Sequence, residues 1–358
     1  VPRLNIGHVR DLDIPVPPLN EQRRIVAKIE SLQSRSEAAK EALDAIPPLL
    51  EKFRQSVLAA AFRGDLTAAW RAKNPDVEPA SVLLKRIRAG RHRHWIEAQL
   101  AKFEKKGKSP KNDKWKEKYK QPQSFDYAGA LPELPSTWAW TNWDALTMWV
   151  TYGFTKPMPH VSSGRMIVTA KNVRNEGLRL DPIHFTTEES FLSLNPKDRP
   201  LAGDILIVKD GATTGRASLV PDGLPRFCIS QSVAVVWLKY SPMNRLFLLR
   251  WVQSPLIQRL IREAMAGMAM PHLSITDFAK MPVPIPPLAE QEAICEALED
   301  QLDIGESLSA TAATLDCEIG KLNQSILAKA FRGELVPQDP TDEPASVLLE
   351  KIRAEQEA

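Results

Sequence analysis

Three short polar stretches carry the side chains with most to offer chemically. Lys171, Asn172 and Arg174 sit in TAKNVRNEG; Lys209, Thr213, Thr214 and Arg216 sit in VKDGATTGRA; Gln231 stands between Ser230 and Ser232. Lysine and arginine neutralise phosphates and suit the acceptor edge of guanine, while asparagine and glutamine match the donor–acceptor pair of adenine. Gly211 and Gly215 would let backbone amides approach a phosphate. These residue types fit contact with a polyanion such as duplex DNA, and each also fits a plain solvated loop.

Catalytic chemistry finds no comparable set. An adenine methyltransferase needs a glycine turn for its cofactor and an Asn-Pro-Pro-aromatic motif, of which LNPKD at Leu194 has only the first two residues. A phosphate loop needs GxxxxGK followed by Ser or Thr, and GATTGR at Gly211 has neither the spacing nor the lysine. The six histidines, His8, His92, His94, His160, His184 and His272, show no ligand spacing, and Cys228, Cys295 and Cys317 form no CxxC pair. The expectation is a chain with no catalytic residues, no metal and buried thiols. No apolar run reaches the roughly 18 residues of a membrane helix and no secretory pattern opens the chain, which reads as cytoplasmic.

Charge is uneven. Residues 85–120 hold 14 Lys or Arg against Glu97, Glu104, Asp113 and Glu117, whereas the formal charge of all 358 residues is only +3. This basic stretch suits a polyanion or a solvated linker. Trp95 and Phe103 within it could dock a helix on a partner while the lysines face phosphate.

The elements that must position these groups announce themselves by repetition. PPLNEQ at Pro17 returns as PPLAEQ at Pro286, RQSVLAAAFRGDL at Arg54 as NQSILAKAFRGEL at Asn323, and EPASVLLKRIRA at Glu78 as EPASVLLEKIRA at Glu343. VPRLNIGHV at Val1 pairs with MPHLSITDF at Met270, so residues 1–89 are one copy and 270–355 another. In the first copy Ile25, Ile29, Leu32, Ser36, Ala39, Leu43, Ile46, Leu50, Phe53, Val57 and Ala60 step by four and three. The second repeats the register through Ile294, Leu298, Gln301, Gly305, Leu308, Ala312, Leu315, Ile319, Leu322 and Ile326. Heptad spacing predicts two long helices, each about 60 Å, sharing a coiled-coil seam. Glu21 and Glu290 fall in the first turns, where negative charge suits the helix dipole. Gly64 and Gly333 stop the helices, and Pro47-Pro48 should kink the first.

Between the copies the texture changes. RMIVTAKNV, GDILIVKDG, ASLV and SVAVVWLKY read as strands, with glycines at the turns, and MNRLFLLRWVQSPLIQRLIREAM reads as helix interrupted near Pro255. Trp138, Trp140 and Trp143 read as core of the first strand and its turn.

Four phrases in order, LPSTWAW at Leu134, GDILIVKDGATTGRASLV at Gly203, PHLSITDFAKMPVPIPPLAEQEAI at Pro271 and LAKAFRGEL at Leu327, resemble the specificity subunit of type I restriction-modification systems. The resemblance implies an α+β protein, with an α/β target recognition domain between two long helices that pair as an antiparallel coiled coil. The expected boundaries are 1–19 for the end of a first recognition domain, 20–90 for one conserved helical region, 91–130 for a basic linker, 131–285 for the recognition domain and 286–358 for the second helical region. It further implies a non-catalytic protein that reads half of a bipartite target on double-stranded DNA. By resemblance it docks two modification (methyltransferase) subunits carrying S-adenosylmethionine, and restriction subunits using ATP and Mg join them. Phe62, Arg63 and Gly64, with Phe331, Arg332 and Gly333, are the expected docking residues; burial of these helix ends in their own core is the competing reading. The family has two recognition domains, and this chain, opening on Val1, fits either a fragment or a half-length subunit that self-associates. A coiled-coil scaffold binding only protein is the other function the composition allows.

Overall fold

A computed structural model describes residues 13–110 and 112–357. The expectations for residues 1–12 lie outside that range. Two units are described, one of residues 54–302 and one of the segments up to Phe53 and from Asp303 onward.

The helices follow the repeat. Helix α1 (Leu19–Asp44) stops at Ala45 and α2 (Ile46–Arg63) starts at once with two prolines in its first turn. Pro47 has no N–H for the carbonyl one turn back, so the ladder breaks there. A short α3 (Ala68–Lys73) and a long α4 (Ala80–Lys105) follow. Helix α4 runs unbroken through residue 90, so the basic stretch continues the first helical region without a joint.

Within residues 54–302 the chain forms β1 (Ala139–Asn142), α5 (Trp143–Leu146), β2 (Val150–Tyr152), β3 (Arg165–Val168), β4 (Val173–Arg174), β5 (Gly177–Leu178), β6 (His184–Thr186) and α6 (Glu188–Ser193). Then come β7 (Ile205–Val208), β8 (Ala217–Leu219), β9 (Cys228–Ile229), β10 (Val233–Val236), α7 (Arg245–Val252), α8 (Pro255–Ala264), α9 (Ile275–Lys280) and β11 (Pro282–Ile285). The central antiparallel sheet has the order β2-β10-β7-β8, and a second sheet, β6-β3-β9, pairs β3 with β9 in parallel. Strands β7 (ILIV) and β10 (VAVV) are buried throughout, as unbroken apolar runs predict for strands covered on both faces. Their alternation sorts the faces: Ile205, Ile207, Ala234 and Val236 pack with Phe247, Leu248 and Trp251, while Leu206, Val208, Val233 and Val235 pack with Val168, Val173 and Phe227. Strand β1 pairs antiparallel with β11, placing the start of this region beside its end. Trp143 is fully buried against Phe278, and Trp140 packs on Trp251, so the tryptophans are core. The break between α7 and α8 is filled by Gln253, whose amide donates to the carbonyls of Ala217 at 3.1 Å and Asn175 at 2.9 Å.

The second-copy helix, α10 (Leu288–Phe331), is a single run of 44 residues, followed by α11 (Ala345–Glu357). At 1.5 Å per residue α10 is about 66 Å long. In the unit holding its later part, Arg24 pairs with Asp342, Lys40 lies 3.8 Å from Asp316, and the Phe53 ring lies 3.9 Å from where a side chain at Gly305 would begin. Ile25, Ile29, Leu32, Leu43, Ile46 and Leu50 are half-buried and Ser36 is buried, but Ala39 is exposed. The second copy departs further from the expected seam. Gly305, Ala312, Ile319 and Ile326 are half-buried or buried, while Leu308, Leu315 and Leu322 are 53%, 44% and 54% exposed. Three residues on from the buried line is about 60° round a helix, so the leucines flank the covered stripe. Among the described residues no helix is long and apolar enough to cross a membrane.

Candidate nucleic-acid interface

Three loops carry the candidate groups, and the structure gathers them. Ser232 is the hub: its carbonyl accepts from the Lys209 amide at 2.9 Å, its hydroxyl accepts from the Ala170 amide at 3.3 Å, and that hydroxyl lies 2.8 Å from Ser230 Oγ. Loops following β3, β7 and β9 thus share one edge of the fold. The turn between β4 and β5 joins them, because Asn175 Oδ1 accepts from the Ala217 amide at 3.2 Å.

The individual side chains divide. Lys171 and Gln231 are exposed; Arg174, Thr213 and Arg216 are half-buried, and neither Lys171, Arg174 nor Arg216 holds an ion pair among the described residues. These keep their donors free. Asn172 does not. It is buried, its Oδ1 accepts from Thr169 N at 2.9 Å and Thr169 Oγ1 at 3.0 Å, and its Nδ2 donates to the carbonyls of Arg179 at 2.9 Å and Pro182 at 3.0 Å. Both acceptor sites and both donor hydrogens of the amide are used, leaving nothing for a base. In this structure Asn172 shapes the loop that presents Lys171.

Lys209 also turns inward. It is buried, donates to Asp210 Oδ2 at 2.8 Å and sits 5.1 Å from the Tyr152 ring centre, while the other oxygen of Asp210 lies 2.6 Å from His272 Nδ1. An internal ion pair holds the ammonium expected to reach a phosphate. Gly211 and Gly215 do take positive φ, +93° and +94°, as a tight hairpin between β7 and β8 requires. Their amides, however, already donate to Pro271 O at 3.0 Å and Val208 O at 2.9 Å, and Thr214 Oγ1 donates to Gly211 O at 2.7 Å. The loop is closed on itself and offers side chains, not backbone amides.

Among the described residues the lysines of the basic stretch are exposed, but its aromatic residues face one another. Trp95 stacks on Trp115 with centroids 5.9 Å apart, Tyr119 lies 5.3 Å from Trp95, and Phe103 meets Trp115 edge-on at 5.8 Å. The cluster folds the segment onto itself. Arg91 anchors it by donating to the backbone carbonyl of Asp144.

The two sets of expected docking residues part company. Phe62 is buried, 5.3 Å from Phe247 and 5.0 Å from Trp251 by ring centroids, as the reading of a helix end tucked into its own core expects. Gly64, φ +83°, is buried, and a Cβ there would fall 2.7 Å from Pro135, so only glycine fits. Arg63 is exposed and pairs with Asp65. In the second copy Phe331 is 67% exposed, Arg332 pairs with Glu334, and Gly333 is half-buried with Gln338 3.7 Å from where a Cβ would lie.

A buried knot escaped the reading from sequence. Glu290, fully buried, accepts from Thr67 Oγ1 at 2.7 Å, Arg71 Nη1 at 2.6 Å and Trp138 Nε1 at 2.8 Å. Arg71 also donates to Gly64 O at 2.7 Å. The adjacent Gln291 accepts from Asn244 N at 2.9 Å and donates to Pro286 O at 3.1 Å. The Glu-Gln pair repeated in both copies was the available signal, but its partners lie 152 to 223 residues away in the chain. Among the described residues no three His, Cys, Asp or Glu side chains form a group able to hold a metal.

Residues 162–311 match the family described as type I restriction modification DNA specificity domain. The type I restriction enzyme EcoDI specificity subunit of Escherichia coli is 24% identical over 381 residues, covering all of this chain and 72% of that protein. The EcoBI specificity subunit, also from Escherichia coli, is 26% identical over 366 residues, with coverage of 100% and 67%. In fold, the chain resembles a subunit solved in work on assembly and conformational transition of the type I R-M system, with a TM-score of 0.59 at 20% identity. It also resembles the HsdS subunit from Thermoanaerobacter tengcongensis, with a TM-score of 0.50 at 21% identity. Each likeness covers 93% of this chain but only 65% and 64% of the solved ones.

Proposed function

Since this chain is a member of the type I restriction-modification specificity-subunit family, we propose that its recognition domain, residues 131–285, reads one half of a bipartite target on double-stranded DNA. The observation carrying this is the edge organised by Ser232, where three loops from separate parts of the chain converge. On it Lys171, Arg174, Arg216, Thr213 and Gln231 keep donors free. Arginine and lysine supply phosphate neutralisation and guanine contacts, glutamine an adenine contact. Asn172, Lys209 and Thr214 build the loops that carry these groups.

The long helices act as the spacer. Pairing of Arg24 with Asp342, Lys40 with Asp316 and Phe53 with the Gly305 position supports an antiparallel run, since advance along one copy matches retreat along the other. A helix of about 66 Å spans nearly two turns of B-DNA at about 34 Å each. The exposed Leu308, Leu315 and Leu322 support docking of modification subunits on this region, two per complex, with restriction subunits joining the assembly. Methyl transfer, with S-adenosylmethionine, and cleavage, with ATP and Mg, belong to those partners; this chain supplies position and sequence choice.

Two measurements test the reading. Binding to duplex DNA beside the methyltransferase partner should weaken with salt, and replacing Lys171, Arg174 and Arg216 by alanine should lower the slope of log K against log salt by about 2.7, at about 0.9 per phosphate contact. An unchanged slope sinks the interface. Inserting residues within α1 and α10 should change the spacer length recognised and leave the half-site alone; altered half-site preference at constant spacer would refute the spacer role.

A further inference from the structure

The candidate edge does not end at the hairpin between β7 and β8. Past Val208 the backbone of Lys209 donates to Ser232 O at 2.9 Å on one side and accepts from Leu273 N at 2.7 Å on the other, and Gly211 N donates to Pro271 O at 3.0 Å. Asp210 and His272 face each other there as an antiparallel bridge, so residues 271–273 form the next row beyond 209–211. Residues 266–272 are all exposed. Met270, at 75%, is the most exposed large apolar side chain among the described residues, and His272 is 53% exposed. Between Glu263 and Asp277 the sequence has no ionisable side chain except His272, so nothing acidic on this segment repels a phosphate.

The imidazole is held by one nitrogen. Nδ1 lies 2.6 Å from Asp210 Oδ1, while the other oxygen of Asp210 accepts from the buried Lys209 at 2.8 Å. Lys209 and Asp210 cancel as a pair, so protonation of His272 gives the trio a net positive charge. In the protonated ring both nitrogens donate, and with Nδ1 turned to the carboxylate it is Nε2–H that is left for a ligand. The charged groups joined to the ring among the described residues are Asp210 and, through it, Lys209; the next along its own segment is Asp277, in the first turn of α9.

The repeat supplies an independent sign. MPHL at Met270 is the counterpart of VPRL at Val1, so the first copy has Arg3 where the second has His272, a basic side chain after the same proline. Arginine is always charged and histidine only when protonated; what they share is a cation that donates hydrogen bonds. We propose that His272 is a phosphate-contacting residue of the DNA interface, its ring steered by Asp210 and its Nε2–H donated to the DNA backbone. It extends the set of Lys171, Arg174 and Arg216 by one segment, and it makes one contact of that set depend on pH. The contact rests on the reading of residues 131–285 as the part that binds duplex DNA.

The full chain with its methyltransferase partner, titrated with duplex DNA at several salt concentrations, tests it. For the parent complex the plot of log K against log salt should be steeper at pH 6 than at pH 8 by about 0.9, the weight of one phosphate contact. His272→Gln should remove that difference and keep the shallower slope at both pH values. His272→Arg, which copies Arg3, should show the steeper slope at both. A difference that persists in His272→Gln overturns the assignment, as does a parent slope that ignores pH. A role confined to latching residues 271–273 onto the hairpin would move the thermal midpoint of His272→Gln and leave its slopes like those of the parent, which also overturns the assignment. Absence of any salt-dependent binding by the parent complex is a separate failure: it refutes the DNA-reading role, and the contact falls with it.

Discussion

Replacing Glu290 by glutamine is expected to loosen the attachment of the start of α10 to Thr67, Arg71 and Trp138. The carboxylate is fully buried and Arg71 is only 20% exposed, so their contact at 2.6 Å is an interior ion pair. Glutamine keeps one acceptor oxygen but turns an amide N–H₂ toward a site already crowded with the donors of Thr67, Arg71 and Trp138. Removing one partner of a buried pair strands the other charge and costs about 3–5 kcal/mol. For a unit of this size, 1 kcal/mol moves the midpoint by about 2–4 °C, so a loss of at least about 6 °C is expected. Thermal unfolding followed by tryptophan emission and calorimetry measures it. Combining Glu290→Gln with Arg71→Gln should cost less than the sum of the two, because the same bond is removed twice. A shift below about 2 °C, or strict additivity, would refute the claim that this knot anchors the start of α10.

Asn172→Ala removes four hydrogen bonds at about 0.5–1.5 kcal/mol each, so a loss of about 2–6 kcal/mol is expected, with faster amide exchange across residues 169–174; unchanged exchange would return Asn172 to the list of base-reading candidates. Phe62→Ala should cost about 3–5 kcal/mol and Phe331→Ala under about 0.5 kcal/mol in the isolated chain, although the two share the phrase Phe-Arg-Gly; denaturant titrations giving equal losses would contradict the burial difference. Burial pushes the Cys228 and Cys295 thiols up to about 12, so at pH 8 about one in ten thousand is thiolate, whereas Cys317 is exposed. Alkylation of the native chain, mapped by mass spectrometry, should mark Cys317 first; equal rates at all three would show that the other two are not enclosed.

Much of the fold was legible before any coordinate. The break at Ala45 follows from Pro47 and Pro48, and the ends at Gly64 and Gly333 from glycines that take φ of +83° and +71°. Strands β7 and β10 were readable as unbroken apolar runs. The candidate edge was half legible. Its loops were found by composition, but Asn172 and Lys209 look as available in sequence as Lys171, and only their surroundings turn them inward. The heptad overstated the seam, because spacing names the positions able to face a neighbour and not how many a single neighbour covers; Leu308, Leu315 and Leu322 remain outside.

What the sequence determined by itself is whatever a few consecutive residues decide: helix register, stops, turns and the repeat, all set by backbone sterics and hydrogen bonds between near neighbours. Which of two identical phrases is buried, and where Glu290 finds its donors, was decided only by tertiary structure. Glu290 draws its partners from 152, 219 and 223 residues away. Burial and pairing are properties of what surrounds a group in space, and a local stretch of chain carries no record of its distant neighbours.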